Sequence, residues 1–198
     1  MVRNITFGSF NNLSKINDNV IALWSEILKK AKNSKLFLKA KQLDNLVIVN
    51  NIKKKFQKNG INVERIITEG LSKTREEMLK KYNQIDIALD PFPYPGVTTS
   101  LEANWMGVPL LTKKGNNFYS RIGTSINKNL DMEDWIANNE KDYILKAISK
   151  TSDLEKLLQI KKKLRNKFLK SPLSDAKQFA KNFENCLNLM WKTYLENK

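Results

Sequence analysis

The sequence predicts an α/β domain built on a Rossmann-like parallel sheet with flanking helices, and three observations carry that prediction. Short runs rich in β-formers recur at residues 5–10, 35–40, 65–68, 85–89 and 108–112. Segments with the spacing of amphipathic helices separate most of them, which is the rhythm of βαβ units. The third observation is the stretch DIALDPFPYPGVTTSLEANWMGVP at 86–109. There an apolar run gives way to a loop of Pro93, Pro95 and Gly96, and the loop to a helical pattern. Asp90 and Pro91 end the apolar strand, because proline offers no amide to a sheet ladder.

The elements follow in order. Ile5 to Phe10 is the first strand, interrupted by Gly8, and it runs into the loop Asn11 to Lys15. Val20, Trp24, Ile27, Leu28 and Ala31 then fall on one helical face, with cap chemistry from Asn17 and Asp18. KLFLKA at 35–40 is the second strand, and Val47 to Phe56 a helix ending near Asn59-Gly60, a left-handed cap signal. RIIT at 65–68 is a short strand, followed by a helix that begins around Ser72 to Thr74. After the 85–89 strand, Leu101 to Met106 reads as a short helix stopped by Gly107, and Val108 to Thr112 as another strand. KKGNNFYSRIGTS at 113–125 is a loop running into a short helix, and DWIA at 134–137 a last small strand.

Three helices close the chain. The final one, marked at its start by Ser171-Pro172 and Ser174, carries a stripe of Phe179, Phe183, Cys186, Leu187, Met190, Trp191 and Tyr194. Core packing against the sheet or a neighbouring helix is the expected use of that stripe. The whole chain, 1–198, reads as one domain, with an α/β core at 1–137 and C-terminal helices at 138–198.

Strand, glycine-bearing loop and helix start together leave backbone N–H groups and the positive end of a helix dipole beside one concave spot. In a parallel α/β sheet that spot lies at the carboxyl ends of the strands, where ligands bind. An anionic group such as a pyrophosphate suits it. Thr99 and Glu102 also have the spacing of a capping box, in which case the pair only starts the helix. Local spacing leaves both readings open.

Composition excludes several chemistries. The chain has no histidine, so a Ser-His-Asp triad, a Cys-His pair and histidine-ligated metal sites are all ruled out. Cys186 is the single cysteine, which removes disulfides within the chain and cysteine metal clusters, and its place on an apolar stripe predicts a buried, inert thiol. No metal site is expected. No apolar run reaches the ~18 to 20 residues of a spanning helix, and the first ten residues lack the apolar centre of a secretion signal. A cytoplasmic protein is the default.

The formal net charge is +15. It fits a nucleic-acid or anionic-membrane face, an anionic small substrate, or a Lys- and Asn-rich composition. The lysines are spread along the chain, and the KKK runs at 53–55 and 161–163 fall in predicted helices, as solvated faces do.

In chain order, FGSFNNLSKIN (7–17), DIALDPFPYPGVTTSLEANWMGVPLLT (86–112), FYSRIGTS (118–125), DWIA (134–137), EKDYILKA (140–147) and SPLSDAKQFAKNFE (171–184) before MW (190–191) stand out. Together they resemble the carboxyl-terminal half of the catalytic region of O-linked N-acetylglucosamine transferases and their bacterial relatives. The resemblance implies a glycosyltransferase of the two-lobed GT-B type, of which this chain is the lobe that holds UDP-N-acetylglucosamine or a related UDP-sugar. It implies a protein acceptor with Ser/Thr hydroxyls, and completion of the site by an N-terminal lobe or a partner chain. The UDP-sugar is a substrate; no cofactor is implied.

The resemblance also assigns roles. Asn12 and Lys15 match a loop amide and a lysine that face the diphosphate; the family has glutamine where Asn12 stands. A cation there offsets the charge that grows on departing UDP without a metal, which makes Lys15 the catalytic candidate. Thr98 and Thr99 match paired threonines on the diphosphate, Gly96 shapes their loop, and Glu102 takes the place of an acidic ribose contact. Ser72 to Lys81 corresponds to the uridine-contacting stretch, with Arg75 at a basic ribose or phosphate contact. Met78 and Val97 stand where the animal enzymes carry histidines, over the uracil and near the sugar. Methionine covers a base by dispersion but forms no strong hydrogen bond. The alternative from another class is a non-catalytic basic domain that binds polyanions. It lacks the interleaved aromatic and basic residues of RNA-binding sheets, so nucleic acid is not the expected partner.

Overall fold

The computed structural model describes residues 4–198 and contains a six-stranded sheet, parallel throughout, in the order β3-β2-β1-β4-β5-β6. The strands are β1 (Thr6–Ser9), β2 (Lys35–Lys39), β3 (Ile66–Glu69), β4 (Ile87–Leu89), β5 (Leu110–Lys113) and β6 (Ile136–Ala137). The helices are α1 (Asp18–Lys30), α2 (Leu46–Lys58), α3 (Arg75–Lys81), α4 (Thr98–Trp105), α5 (Ile122–Asn129), α6 (Glu140–Ser152), α7 (Leu154–Leu169) and α8 (Ala176–Glu196). Each expected strand is present, as is each expected helix.

The strands are apolar over most of their buried positions because both faces of the sheet are covered. Their side chains alternate between two cores. Phe7, Leu36, Leu38, Ile87, Leu89 and Leu111 pack with Val20, Trp24, Ile27 and Leu28 of α1, whereas Phe37, Ala88 and Leu110 pack with Tyr82 and Ala103. Side-chain caps start α1, α2, α3, α6, α7 and α8; Asn17, for example, accepts from the Val20 amide. The starts of α4 and α5 carry no side-chain cap. Gly60 and Gly107, at φ 80° and 76°, close α2 and α4 in the left-handed region that favours glycine.

After β1 the chain adds β2 and β3 on one side, then crosses to build β4, β5 and β6 on the other. The carboxyl ends of β1 and β4 therefore flank the point where the order reverses, and a crevice opens there.

The expectation for the last helix is overturned. α6 contributes Tyr143 and Ala147 to the core, and α7 contributes Leu157, Leu164 and Phe168, but α8 buries no residue. Phe179, Phe183, Leu187, Met190, Trp191 and Tyr194 are all exposed, Trp191 at 60%, and the Cys186 thiol is exposed with them. The reason is that α1, α2 and α4 to α7 already cover the sheet, so no apolar face is left for α8 to meet.

Candidate functional site

At the crevice the carboxyl end of β4 continues into Asp90, which is fully buried. Its Oδ1 accepts from the Gly96 amide at 2.7 Å and faces the Ser100 hydroxyl at 3.5 Å, and its Oδ2 accepts from Thr112 at 2.8 Å. The loop 91–97 is thereby folded back onto the start of α4. Gly96 is required by close approach: a Cβ there would lie 2.4 Å from Ser100 Oγ and 2.5 Å from Thr99 Oγ1. From the β1 side, the Lys15 amine donates to the Pro95 carbonyl at 2.9 Å and sits 4.6 Å from the centre of the Tyr94 ring. Tyr94 in turn stacks on Tyr119. Thr99 donates to Asn11 at 3.1 Å, which ties α4 to the loop after β1.

The electrostatics follow from this packing. Burial pushes the Asp90 carboxyl up to about 7, against the hydrogen bonds from Gly96 and Thr112 and the charge of Lys15. Burial lowers the pKa of Lys15, and the charge of Asp90 opposes that shift.

Beside the loop lies a cavity of 190 Å³ lined by Phe10, Lys39, Ser72, Met78, Thr99 and Glu102, among others. Phe10 stacks obliquely on Tyr82 at 4.3 Å between ring centres. Lys39 is buried and answers its charge with Glu69 at 2.8 Å and the Gly70 carbonyl at 2.7 Å. The Ser72 hydroxyl is buried with no hydrogen-bond partner among the described residues. At the rim Arg75 pairs with Glu102 at 3.0 Å. Tyr82 donates to the Thr99 carbonyl at 3.0 Å and approaches Glu102 at 3.5 Å. Burial raises the pKa of Glu102, and Arg75 and Tyr82 pull it back; Tyr82 is itself raised by burial and by the Glu102 charge.

Met78, Thr99, Glu102 and Arg75 thus meet at the cavity, and Lys15 and Gly96 meet at the loop beside it. Val97 is the residue before α4, and both it and Thr98 are exposed toward the open side. Asn12 is adjacent, but its side-chain oxygen accepts from the Ser14 amide and from Gln42, so it caps the turn that presents Lys15. The Gly96 amide is likewise engaged, by Asp90.

The capping-box reading of Thr99 and Glu102 does not hold. The helix begins at Thr98, ahead of the expected Leu101, so Thr99 lies inside its first turn with its hydroxyl on Asn11. Glu102 turns instead to Arg75 and Tyr82. Four larger cavities, of 540 Å³ between the 131–135 turn and α7, 600 Å³ at the foot of α8, 480 Å³ beside Lys113 and Glu140, and 680 Å³ beside Gln42 and Leu46, contain none of the predicted residues. Sequence reasoning missed Asn11, Lys39, Tyr82 and the clamp role of Asp90. A carboxylate ending an apolar strand just before proline was the one visible signal for the last.

A sheet of this order, with a lysine and an uncapped helix start converging at its reversal point, is a Rossmann-like lobe, and its likeness to solved structures makes it one of the GT-B type. The chain belongs to glycosyl transferase family 41, whose sequence profile matches residues 3–183. It is 34% identical over 196 residues to a protein of Solanum lycopersicum described as a probable UDP-N-acetylglucosamine–peptide N-acetylglucosaminyltransferase SPINDLY, covering 97% of this chain and 21% of that protein. Among solved structures, a variant of Thermobaculum terrenum O-GlcNAc transferase superposes with a TM-score of 0.88 at 32% identity, over 96% of this chain and 36% of that one. The C-terminal domain of a group 1 glycosyl transferase from Francisella tularensis shares the fold at TM-score 0.61 and 16% identity, over 83% of this chain and 84% of that one. The chain spans about a fifth of the length of the curated relatives of this kind.

Proposed function

We propose that this chain is the donor-binding lobe of a UDP-N-acetylglucosamine-dependent glycosyltransferase acting on protein Ser/Thr hydroxyls. The observation that carries the reading is the convergence of the Lys15 amine and the uncapped start of α4 on one loop, beside a cavity walled by Met78 and Glu102. The cavity would take the nucleoside, with Met78 against the base, Glu102 accepting from the ribose and the orphaned Ser72 hydroxyl gaining a partner. The diphosphate would lie across the first turn of α4, where the Thr98 and Thr99 amides and Lys15 face it.

In the reaction the acceptor hydroxyl attacks the anomeric carbon, the bond from that carbon to the diphosphate oxygen breaks, and UDP leaves with the electron pair. The hydroxyl proton passes to a base. Lys15 stabilises the charge that grows on UDP, in the role a metal fills in other transferases. Val97 and Tyr94, exposed on the open side of the loop, would flank the sugar.

Completion by an N-terminal lobe or partner chain belongs to the same proposal, and the bare apolar stripe of α8 supports it. The expected compartment is the cytoplasm; no helix among the described residues is long and apolar enough to cross a membrane.

Titration of the chain with UDP, followed by calorimetry or NMR, tests the reading. Saturable UDP binding that falls about ten- to a hundredfold in Lys15→Ala is expected, the range of a charge-assisted hydrogen bond. Absence of UDP binding, together with tight, steeply salt-dependent binding of single-stranded nucleic acid, would replace it with the polyanion-binding reading.

A further inference from the structure

The Pro95 carbonyl and the Gly96 amide belong to the same peptide group. The Lys15 amine donates to its oxygen at 2.9 Å, and Asp90 Oδ1 accepts from its N–H at 2.7 Å. A cation and a carboxyl oxygen therefore grip one peptide from opposite ends, and each polarises it in the sense that strengthens the other bond. The grip is anchored behind. Asp90 is fully buried, its second oxygen is held by Thr112, and its backbone carbonyl accepts from the Tyr143 hydroxyl at 3.2 Å. Ser100, Thr99 and Asn11 close over Gly96, since a Cβ added there would meet each of them within 3.0 Å.

We infer that Asp90 is a positioning residue for the donor diphosphate, acting through the Pro95–Gly96 peptide to hold Lys15 at the mouth of α4. This rests on the donor reading above. The Lys15 amine has three N–H donors, of which the Pro95 carbonyl takes one. A diphosphate across the first turn of α4 is met by the others, so the peptide that Asp90 holds stays the anchor of the amine. Asp90 touches no substrate in this scheme.

The test is a double-mutant cycle on the whole chain, reading UDP affinity by ¹⁵N NMR titration and folding by thermal melt. Asp90→Asn is expected to weaken UDP at least tenfold, Lys15→Met likewise, and the double variant to lie within about twofold of Lys15→Met alone. Additive losses, or wild-type affinity in Asp90→Asn, would overturn the positioning role while leaving the donor site standing. No UDP binding by the wild-type chain would remove both.

Should Asp90→Asn fail to fold, the Gly96 amide resonance decides. Lys15→Met removes the cation from the Pro95 carbonyl and UDP shares it, so both are expected to move that resonance in the same direction, UDP by less. A resonance indifferent to either change would overturn the coupling.

Discussion

Arg75 and Glu102 form an ion pair of unequal partners: the guanidinium group is 72% exposed and the carboxylate 10%, with 3.0 Å between them. Such a pair adds little to stability, because the arginine is screened by water. What it does is aim a carboxylate, raised in pKa by burial, along the rim of the cavity.

The aim has a measurable consequence. Glu102→Ala is expected to weaken UDP about ten- to a hundredfold, the range for hydrogen bonds to a charged acceptor. The same variant is expected to bind 2′,3′-dideoxy-UDP as the wild type does. Equal losses for both ligands would show that Glu102 does not read the ribose.

Gly96→Ala offers a second check. The new methyl would meet Ser100 Oγ at 2.4 Å and Thr99 Oγ1 at 2.5 Å in a loop that Asp90 holds fixed. Overpacking of this kind costs about 1–3 kcal/mol. The expected result is a lowered melting temperature together with lost UDP binding; retention of both would mean that the loop can yield.

The Asp90 carboxyl, pushed up to about 7, makes stability depend on pH. In the unfolded chain it titrates near 4. Between those values the folded chain holds a proton that the unfolded chain has released, so this group's contribution to stability is full below about pH 4 and fades as pH rises through 7. Lys15, Thr112, Ser100 and Gly96 face the group and limit the shift without cancelling it. Asp90→Asn has no such proton to lose. Its melting temperature relative to the wild type is expected to rise from pH 5 to pH 8, by an amount equivalent to a few kcal/mol. A constant difference across that range would show Asp90 ionised throughout.

The exposed stripe of α8 yields the fourth prediction. Trp191→Glu and Phe183→Glu are expected to leave the isolated chain's melting temperature within what about 0.5 kcal/mol produces, as for ordinary surface sites. A buried aromatic would cost about 3–5 kcal/mol. A large loss of stability would mean that the stripe is packed in solution.

Most of the sheet was legible because its strands are short, largely apolar and separated by helical patterns, of which α1, α2 and α3 start on Asn or Thr caps. The site was legible only in part, and the boundary lies at α4. Thr99 and Glu102 fit a capping box by spacing, yet the helix starts at Thr98, after a loop in which Asp90 holds the Gly96 amide, a contact no capping pattern encodes. Asn11, Lys39 and Tyr82 come to the site through strand order and sheet register. Asn11 and Tyr82 adjoin stretches that the sequence singled out, at 12–15 and 72–81, whereas nothing beside Lys39 pointed to the site. α8 failed for the opposite reason. Periodicity identifies an apolar face correctly but is silent on whether anything covers it.

The exposed thiol has a practical corollary. Cys186 is the chain's single cysteine, it lies on the bare face of α8, and among the described residues no other thiol competes with it. A maleimide fluorophore would therefore attach at one defined point without engineering. Its emission would report when that helix finds a binding partner, turning lobe assembly into an optical signal.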